Sequence, residues 1–176
     1  MPFGSNYIPQ TKHVQRLVRM YVKIFGFPPS IGDRVRAYHA MKYLNPHAND
    51  VILDAGCGSG VYSLECSIKE TKVISIDISC RNVHHALKAV KQVNLCNKVQ
   101  FIVADICSLP FRDNSFDKIL CVDVLEHIEN NLKAFRSFSR VLKKAGNLIL
   151  ENNTKVLEVK NGPYLGADED RKTIDA

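Results

Sequence analysis

A run of seven residues, Asp54-Ala55-Gly56-Cys57-Gly58-Ser59-Gly60, has the clearest chemical character in this sequence. Its three glycines let the backbone turn tightly and approach a ligand closely, and a helix beginning there would point its first N–H groups at that ligand. Asp77 follows one predicted helix and one predicted strand later, where a carboxylate can accept hydrogen bonds from both hydroxyls of a ribose. This combination of loop and acid indicates a nucleoside-binding site.

A nicotinamide dinucleotide also requires a glycine-rich turn and a later acid. The Gly-x-Gly-x-x-Gly pattern fits poorly, because the third glycine position holds Val61 when counted from Gly56 and Ser63 when counted from Gly58. In addition, Asp54 at the loop entrance would repel a pyrophosphate and attract an ammonium or sulfonium cation. The sequence therefore favours a nucleoside with a positively charged tail, and the dinucleotide is the alternative to test.

A third carboxylate follows a third apolar run, in Ala104-Asp105-Ile106. The Asp105 carboxylate could accept a hydrogen bond from an exocyclic amine while the next backbone N–H donates to a ring nitrogen. Because an adenine ring offers both groups, the nucleoside is predicted to be an adenosine.

The elements that must position these residues alternate short apolar runs with amphipathic stretches, and no two-residue hairpin turn joins the runs. This alternation predicts an α/β fold of βαβ units around a buried parallel sheet, with right-handed crossovers. Ligands bind such sheets at the carboxyl ends of the strands, where the three acids lie. The predicted strands cover residues 51–55, 73–78, 99–104, 118–122 and 147–150.

Two helices are predicted before the first strand. The first runs from Thr11 to about Phe25 and has a basic face. The second begins at Ser30, which has the spacing of a capping box with Asp33, and ends near Asn45. The basic face suits either the solvated side of a packed helix or contact with a membrane surface. Its residues are Lys12, Arg16, Arg19 and Lys23.

The composition is that of a soluble globular protein, with 45% hydrophobic residues, 24% charged residues and a net charge of +6. No apolar run approaches the length of a membrane span, and the first residues lack the pattern of a secretory signal. The six cysteines include no Cys-x-x-Cys pair, so we expect a cytoplasmic protein with reduced thiols and no metal site. His84 and His85 diverge by about 100° on a helix and are not expected to bind one metal ion.

Five motifs occur in order along the middle of the chain: Val51 to Gly60, Asp77, Ala104-Asp105, Asp117 and Val124-Leu125-Glu126-His127-Ile128. Together they resemble a class I S-adenosylmethionine-dependent methyltransferase. The resemblance covers about residues 48–151 and is greatest to the small-molecule group that includes the ubiquinone and menaquinone biosynthetic enzymes.

This resemblance implies a Rossmann-like, doubly wound sheet of five parallel strands in the order 3-2-1-4-5, with S-adenosylmethionine as the cofactor and S-adenosylhomocysteine as its product. The glycine loop would hold the methionine part, with Asp54 and the Cys121 carbonyl near its amino group. Asp77 would hold the ribose, and Asp105 and the Ile106 backbone would bind the adenine. The implied cofactor-binding residues are Asp54, Gly56, Gly58, Gly60, Asp77, Ile78, Asp105, Ile106 and Cys121.

The implied reaction is the in-line transfer of a methyl group from a sulfonium to a small organic acceptor, which mainly requires alignment and the exclusion of water. A base would help if the acceptor is a hydroxyl or an acidic carbon, and Asp123, Glu126 and His127 follow the fourth strand at the cofactor edge. We favour His127 of these, because imidazole is the usual general base near neutral pH, and we expect Glu126 to be an acid at the beginning of a helix. A structural role for His127 is an equal alternative. DNA bases are not expected as substrates, because Leu120 rather than proline precedes Cys121 and no Asn/Asp-Pro-Pro-aromatic sequence follows the fourth strand.

Two further functions stay open. One is a non-catalytic module that binds the cofactor or a partner chain, and the other is an RNA or protein methyltransferase that uses the basic first helix. The expected organisation is a helical lid over residues 1–47, a cofactor-binding core over residues 48–151 and a polar tail over residues 152–176.

The tail is short and charged, and it contains Gly162-Pro163. We therefore expect at most one short edge strand over Lys155 to Lys160, and we expect the sixth and seventh strands usual in the family to be missing. On this interpretation the chain is a truncated form of a longer methyltransferase, a hypothesis that folded sixth and seventh strands would refute.

Overall fold

Helices and strands alternate along the chain in the computed structural model, which describes residues 15, 18, 19, 22, 30–67, 70–92, 98–152, 155–160 and 171–175. The four helices with defined bounds are α1 (Ile31–Leu44), α2 (Val61–Cys66), α3 (Cys80–Gln92) and α4 (Asn131–Val141). The strands are β1 (Val51–Ala55), β2 (Lys72–Asp77), β3 (Val99–Val103), β4 (Phe116–Val122), β5 (Leu142–Asn152), β6 (Lys155–Lys160) and β7 (Arg171–Asp175).

The strands form one sheet in the order β3-β2-β1-β4-β5-β6-β7. The first five are parallel and follow the predicted order 3-2-1-4-5, so the prediction of a Rossmann-like α/β sheet is confirmed. In this register Asp77, the last residue of β2, pairs with Val103, the last residue of β3. The carboxyl ends of β1, β2, β3 and β4 therefore meet at one edge of the sheet.

Alternate residues of the central strands pack into two separate cores. In β4, Ile119 and Cys121 belong to the core beneath α4, whereas Leu120 and Val122 belong to the core beneath α1 and α2. Both sets are almost fully buried, which explains the continuous apolar runs that mark parallel strands in the sequence. This two-sided burial holds the strand ends, and the residues that follow them, in fixed positions.

Helix α1 begins and ends where the sequence predicts. The Ser30 side chain accepts a hydrogen bond from the Asp33 N–H (3.1 Å), and the Asp33 carboxylate accepts one from the Ser30 N–H (3.0 Å), which completes a capping box. Asn45 ends the helix in the left-handed conformation. Most of the predicted first helix lies outside the described residues, but residues 15, 18, 19 and 22 are helical.

The short edge strand expected over Lys155 to Lys160 is confirmed as β6, but the expectation that the sixth and seventh strands usual in the family are missing is wrong. β6 pairs antiparallel with β5, Val156 opposite Glu151, and β7 pairs antiparallel with β6. The physical reason is that β5 extends to Asn152 and would otherwise leave a row of unpaired N–H and C=O groups at the sheet edge. Leu157 and Val159 of β6 pack onto the core beneath α4. Their alternation with polar residues is a strand pattern in the sequence, although charged residues surround it. The truncation hypothesis loses the argument on which it rested.

No helix among the described residues has both the length and the apolar character needed to cross a membrane.

The first turn of α1 can be tested with two neighbouring substitutions, one in the capping box and one beside it. Ser30→Ala should lower the free energy of unfolding by about 1 kcal/mol, because it removes the side-chain acceptor of the Asp33 N–H. Gly32→Ala should raise it by about 0.5 to 1 kcal/mol, since a Cβ there meets no atom closer than 3.7 Å. Urea titrations of both variants measure these changes, and an unchanged Ser30→Ala variant would contradict the role of the cap.

Candidate functional site

A cavity of about 240 Å³ opens at the carboxyl ends of β1 and β4, beside the glycine loop that joins β1 to α2. Helix α1 forms its opposite wall. The residues that line it are Asp33, Arg36, Gly56, Cys57, Gly58, Ser59, Val61, Tyr62, Val122 and Asp123.

The backbone of the loop requires glycine. Gly56 has φ +87°, and a Cβ on it would lie 2.3 Å from Cγ2 of Val124. Gly58 has φ +50°, and a Cβ on it would meet no atom within 4 Å. The first glycine therefore allows close packing against Val124, two residues after β4, whereas the second faces open space beside the cavity.

The N–H groups of the loop are used within the protein. Gly56 and Cys57 both donate to the Ile76 carbonyl, at 2.9 and 2.8 Å, and Gly60 donates to the Cys57 carbonyl at 2.8 Å. Gly58 donates to the Asp77 carboxylate at 2.9 Å. These donors are consequently not available to a phosphate, contrary to the simple expectation for a glycine-rich turn.

Asp54 occupies the place where a helix would otherwise bind an anion. Its carboxylate, only 3% exposed, accepts hydrogen bonds from the backbone N–H and the hydroxyl of Ser63 in the first turn of α2. Burial raises its pKa to about 6, and the nearby Asp77 charge adds to this rise. Asp54 is not part of the cavity lining, so its predicted contact with the cofactor amino group stays a prediction.

Asp77 is 8% exposed, and its carboxylate accepts hydrogen bonds from the glycine loop, from the turn after β2 and from α3. One carboxylate oxygen accepts from the Gly58 N–H, and the other accepts from the Ser79 N–H (2.8 Å) and from the Asn82 side chain (3.2 Å). A ribose diol at Asp77 would have to share this carboxylate with the loop and with the beginning of α3.

The predicted adenine residues lie along the ends of β2 and β3. The Asp105 carboxylate accepts from the Cys107 N–H (2.8 Å) and caps a short 3₁₀ turn over Ile106–Ser108. Ile106 is buried, whereas Ile78 is 74% exposed and Val103 is 49% exposed. Two exposed aliphatic side chains at adjacent strand ends are a suitable apolar surface for a flat ring.

Cys121 and His127 differ in accessibility. Cys121 is 1% exposed, and burial raises the pKa of its thiol, so it is not suited to act as a nucleophile. His127 is exposed in a 3₁₀ turn over Leu125–His127, where its backbone N–H donates to the Val124 carbonyl (3.0 Å). Neither residue belongs to the cavity lining.

Asp123 does line the cavity, directly after β4. Its φ of 51° lies in the left-handed region, an uncommon conformation for aspartate. One carboxylate oxygen is 3.4 Å from Nε of Arg36, and the other, Oδ1, is buried and accepts no hydrogen bond. Burial raises the pKa of Asp123, although the Arg36 charge opposes this effect.

Four residues at this edge were missed by the sequence analysis: Asp33, Arg36, Tyr62 and Glu151. Arg36 Nη2 lies 2.6 Å from Asp33 on the same helix, so α1 reaches the strand ends through an ion-paired guanidinium. The capping box located α1 but did not reveal which side chains face the sheet. Glu151 follows the apolar run of β5 as the other acids follow theirs, a signal that was available in the sequence.

Glu151 lies next to Asp123 at the end of the neighbouring strand. It is 7% exposed, and its Oε2 atom has no hydrogen-bond partner. The Asp123 N–H donates to the backbone carbonyl of Glu151 (2.8 Å). Burial, and then the Asp123 charge, raise the pKa of Glu151 to about 8, so it holds a proton at neutral pH.

Within the part of the chain that the structure describes, no three His, Cys, Asp or Glu side chains are grouped so as to bind a metal ion.

The sheet order, the glycine loop and the acids at successive strand ends define a Rossmann-like domain with a nucleoside-type site. A family model described as a methyltransferase domain matches residues 53–150. This match covers more than half of the chain, and the chain belongs to that family. The family predicted from the motifs is confirmed, and with it S-adenosylmethionine as the cofactor.

Two curated relatives and one solved structure are similar to this chain. The ubiquinone/menaquinone biosynthesis C-methyltransferase of Rickettsia prowazekii is 33% identical over 64% of this chain and 48% of its own length. Phosphoethanolamine N-methyltransferase 1 of Arabidopsis thaliana is 30% identical over 84% of this chain and 30% of its own length. The crystal structure of the cyclase SpnF has a TM-score of 0.65 and 25% identity, covering 78% of this chain and 59% of SpnF. The chain thus spans half or less of the length of these two curated relatives.

The different surroundings of Gly56 and Gly58 predict different costs of substitution. Gly58→Ala should cost about 1 to 2 kcal/mol, because only the left-handed backbone is strained. Gly56→Ala should cost about 2 to 5 kcal/mol, because its Cβ also overlaps Val124. Urea unfolding measures both values. If the two variants were equally stable, the contact of Gly56 with Val124 would not be the constraint.

The protonated Glu151 should make stability depend on pH. The pKa of Glu151 is about 8 in the folded protein and 4.5 ordinarily, so the folded state binds the extra proton and stability falls as the pH rises towards 8. Between pH 6.5 and 8 the fall should be about 2 kcal/mol.

Glu151→Gln should remove most of this fall, because an amide does not titrate. Glu70→Gln is the matched control, since Glu70 is exposed just before β2. Urea titrations at several pH values measure the effect. A pH dependence unchanged by Glu151→Gln would mean that another group is responsible.

Proposed function

We propose that this chain transfers the methyl group of S-adenosylmethionine to a small organic acceptor. The observation that carries the proposal is the electrostatic character of the glycine loop. Its N–H groups at positions 56, 57, 58 and 60 donate within the protein, and the Asp54 carboxylate accepts hydrogen bonds from Ser63 in the first turn of α2. A site of this kind suits a cationic ligand rather than a pyrophosphate.

The residues present fit the parts of S-adenosylmethionine. Asp77 would accept from the ribose hydroxyls, and Asp105 with the Ile106 N–H would bind the adenine edge. Exposed Ile78 would contact the adenine face. The methionine part would lie in the cavity beside Gly56–Ser59, near the Cys121 carbonyl and Asp54. When bound, the cofactor supplies a methyl group on a positively charged sulfur.

The cavity also offers groups for the two charged ends of the methionine part. Arg36 is the cation among its lining residues and would attract the carboxylate. Asp33 and Asp123 would attract the ammonium group. We propose that α1 closes the cofactor between itself and the strand ends; the rest of the predicted lid over residues 1–47 lies mostly outside the described residues.

Alignment of donor and acceptor and exclusion of water would supply most of the rate enhancement. Asp123 lines the cavity and is the better placed of the two candidate bases. His127 is exposed outside the lining and would act only on an acceptor that reaches the turn after β4.

The acceptor is proposed to be a small organic molecule. The two curated relatives are named as an N-methyltransferase and a C-methyltransferase, so the atom methylated differs between them. SpnF, a structural relative, is named as a cyclase, which favours a second candidate: a domain of this fold that does not transfer a methyl group. Direct assay with a labelled donor separates the two.

Calorimetric titration with S-adenosylhomocysteine tests the cofactor site. Asp77→Ala should weaken binding by roughly thirty- to a hundredfold, because a charged acceptor of two ribose hydrogen bonds is worth about 2 to 3 kcal/mol. Asn82→Ala is the matched control: it removes a partner of Asp77 but leaves the carboxylate, and should change affinity less than about threefold.

Three results would contradict the proposal in different ways. If the unmodified protein did not bind S-adenosylhomocysteine, the chain would lack the proposed activity. If it bound NAD instead, the dinucleotide alternative would hold. If Asn82→Ala weakened binding as much as Asp77→Ala, Asp77 would act by ordering the loop rather than by contacting ribose.

A further inference from the structure

The ends of β4 and β5 place two acids side by side, and the function described above uses only one of them. Val122 pairs with Glu151 in the parallel register, and Asp123 follows Val122. Ile149 and Val122 both belong to the core beneath α1 and α2. Because side chains alternate along a strand, Glu151 points to the same face as Ile149, towards those two helices. We call the Asp123 and Glu151 carboxyl groups the acid pair.

The acid pair is incompletely hydrogen-bonded, with Glu151 buried and Asp123 partly exposed. Oδ1 of Asp123 and Oε2 of Glu151 are buried without a partner, although buried carboxylates normally accept several hydrogen bonds. Glu151 is 93% buried by its 7% exposure, and it interacts electrostatically with Asp123 and Tyr62, both of which line the cavity. Polar atoms left unsatisfied beside a cavity indicate that a ligand or a proton completes the arrangement.

The charged and titratable groups around the acid pair come from three elements. Helix α1 contributes Arg36 and Asp33, and α2 contributes Tyr62. The turn after β4 contributes Glu126 and His127. Among these described groups only Arg36 carries a permanent positive charge, so two carboxylates in the pair would not both be compensated. One proton shared by the pair relieves this repulsion.

We propose that Asp123 and Glu151 act together as the proton acceptor of the methyl-transfer reaction. They give up their shared proton when the cationic methyl donor binds, and they take a proton from the methyl acceptor as the donor loses its charge. This inference rests on the proposed function and adds Glu151 to its machinery. Asp123 faces the cavity, and Glu151 stores the proton behind it.

The step balances in atoms and charge. The acceptor, written X–H, forms an X–CH₃ bond as the carbon–sulfur bond of the sulfonium breaks, and the bonding electrons stay on sulfur. The donor becomes a neutral thioether, and the proton of X–H passes to the acid pair. Loss of the nearby positive charge makes the pair a stronger base at the stage when the acceptor must lose its proton.

Counting protons during binding tests this proposal without knowledge of the acceptor. S-adenosylmethionine and S-adenosylhomocysteine differ in the sulfonium charge, and at about pH 6.5 the amino groups of both are protonated. Calorimetric titrations in two buffers of different ionisation enthalpy give the number of protons released. We expect S-adenosylmethionine to release about 0.3 to 1 proton more than S-adenosylhomocysteine.

Substitutions assign that proton to the acid pair. Glu151→Gln should abolish the difference in proton release between the two ligands, and Asp123→Asn should reduce it. Glu70→Gln, just before β2 at the amino ends of the parallel strands, should preserve it. If Glu151→Gln does not fold, Asp123→Asn and the two-ligand comparison on the unmodified protein still decide the question.

The outcomes separate this inference from the proposed function. Binding of neither ligand would overturn both. Binding of both ligands with equal proton release would leave cofactor binding intact and overturn the role of the acid pair. An excess release that persists in Glu151→Gln and in Asp123→Asn would assign the proton to another group, and the inference would again be wrong.

Discussion

The binding edge of this domain depends on where two buried carboxylates place their negative charge. Asp54 lies at the first turn of α2, and Asp77 accepts the N–H of Gly58. Together they use donors that, in a phosphate-binding loop of similar sequence, would face the ligand. The loop keeps the tight turn of a nucleotide-binding motif but has the opposite electrostatic preference. A sulfonium and an ammonium group suit such a site, and the family to which the chain belongs uses a cofactor that carries both.

A second constraint connects the site to the helix above it. Arg36 lies between Asp33 on its own helix and Asp123 after β4. A partly exposed ion pair contributes little stability by itself, so its importance lies in position rather than in energy. It sets one wall of the cavity against Asp123, the residue that follows β4, and Glu151 lies behind that strand end. Movement of α1 would therefore change the charge around the acid pair as well as access to the cavity.

Local patterns were sufficient for the elements of the central sheet. Apolar runs bounded by glycine and polar residues predicted β1 with the same bounds that the structure shows. The Ser30 and Asp33 pair predicted the beginning of α1. These signals work because they depend on nearest neighbours in the chain. The sequence analysis allowed one edge strand at β6 and missed β7, because β6 pairs with the open edge of β5 and β7 with the edge of β6. Both partners are assembled only when the sheet forms. A charged sequence that looks like a tail becomes a strand when such an edge is available.

The candidate site likewise has features that the sequence reveals and features that only the fold positions. Glycines at fixed spacing and acids directly after strands are visible in the amino-acid order, because parallel strands bring their carboxyl ends together whatever the remaining sequence. The direction in which each carboxylate points is a tertiary property. Asp54 faces Ser63 rather than the cavity, and the unsatisfied atoms of Asp123 and Glu151 arise only where β4, β5 and α1 exclude water together. Residue type determined which groups could carry charge at this edge, and packing decided which of them remain buried, paired or protonated.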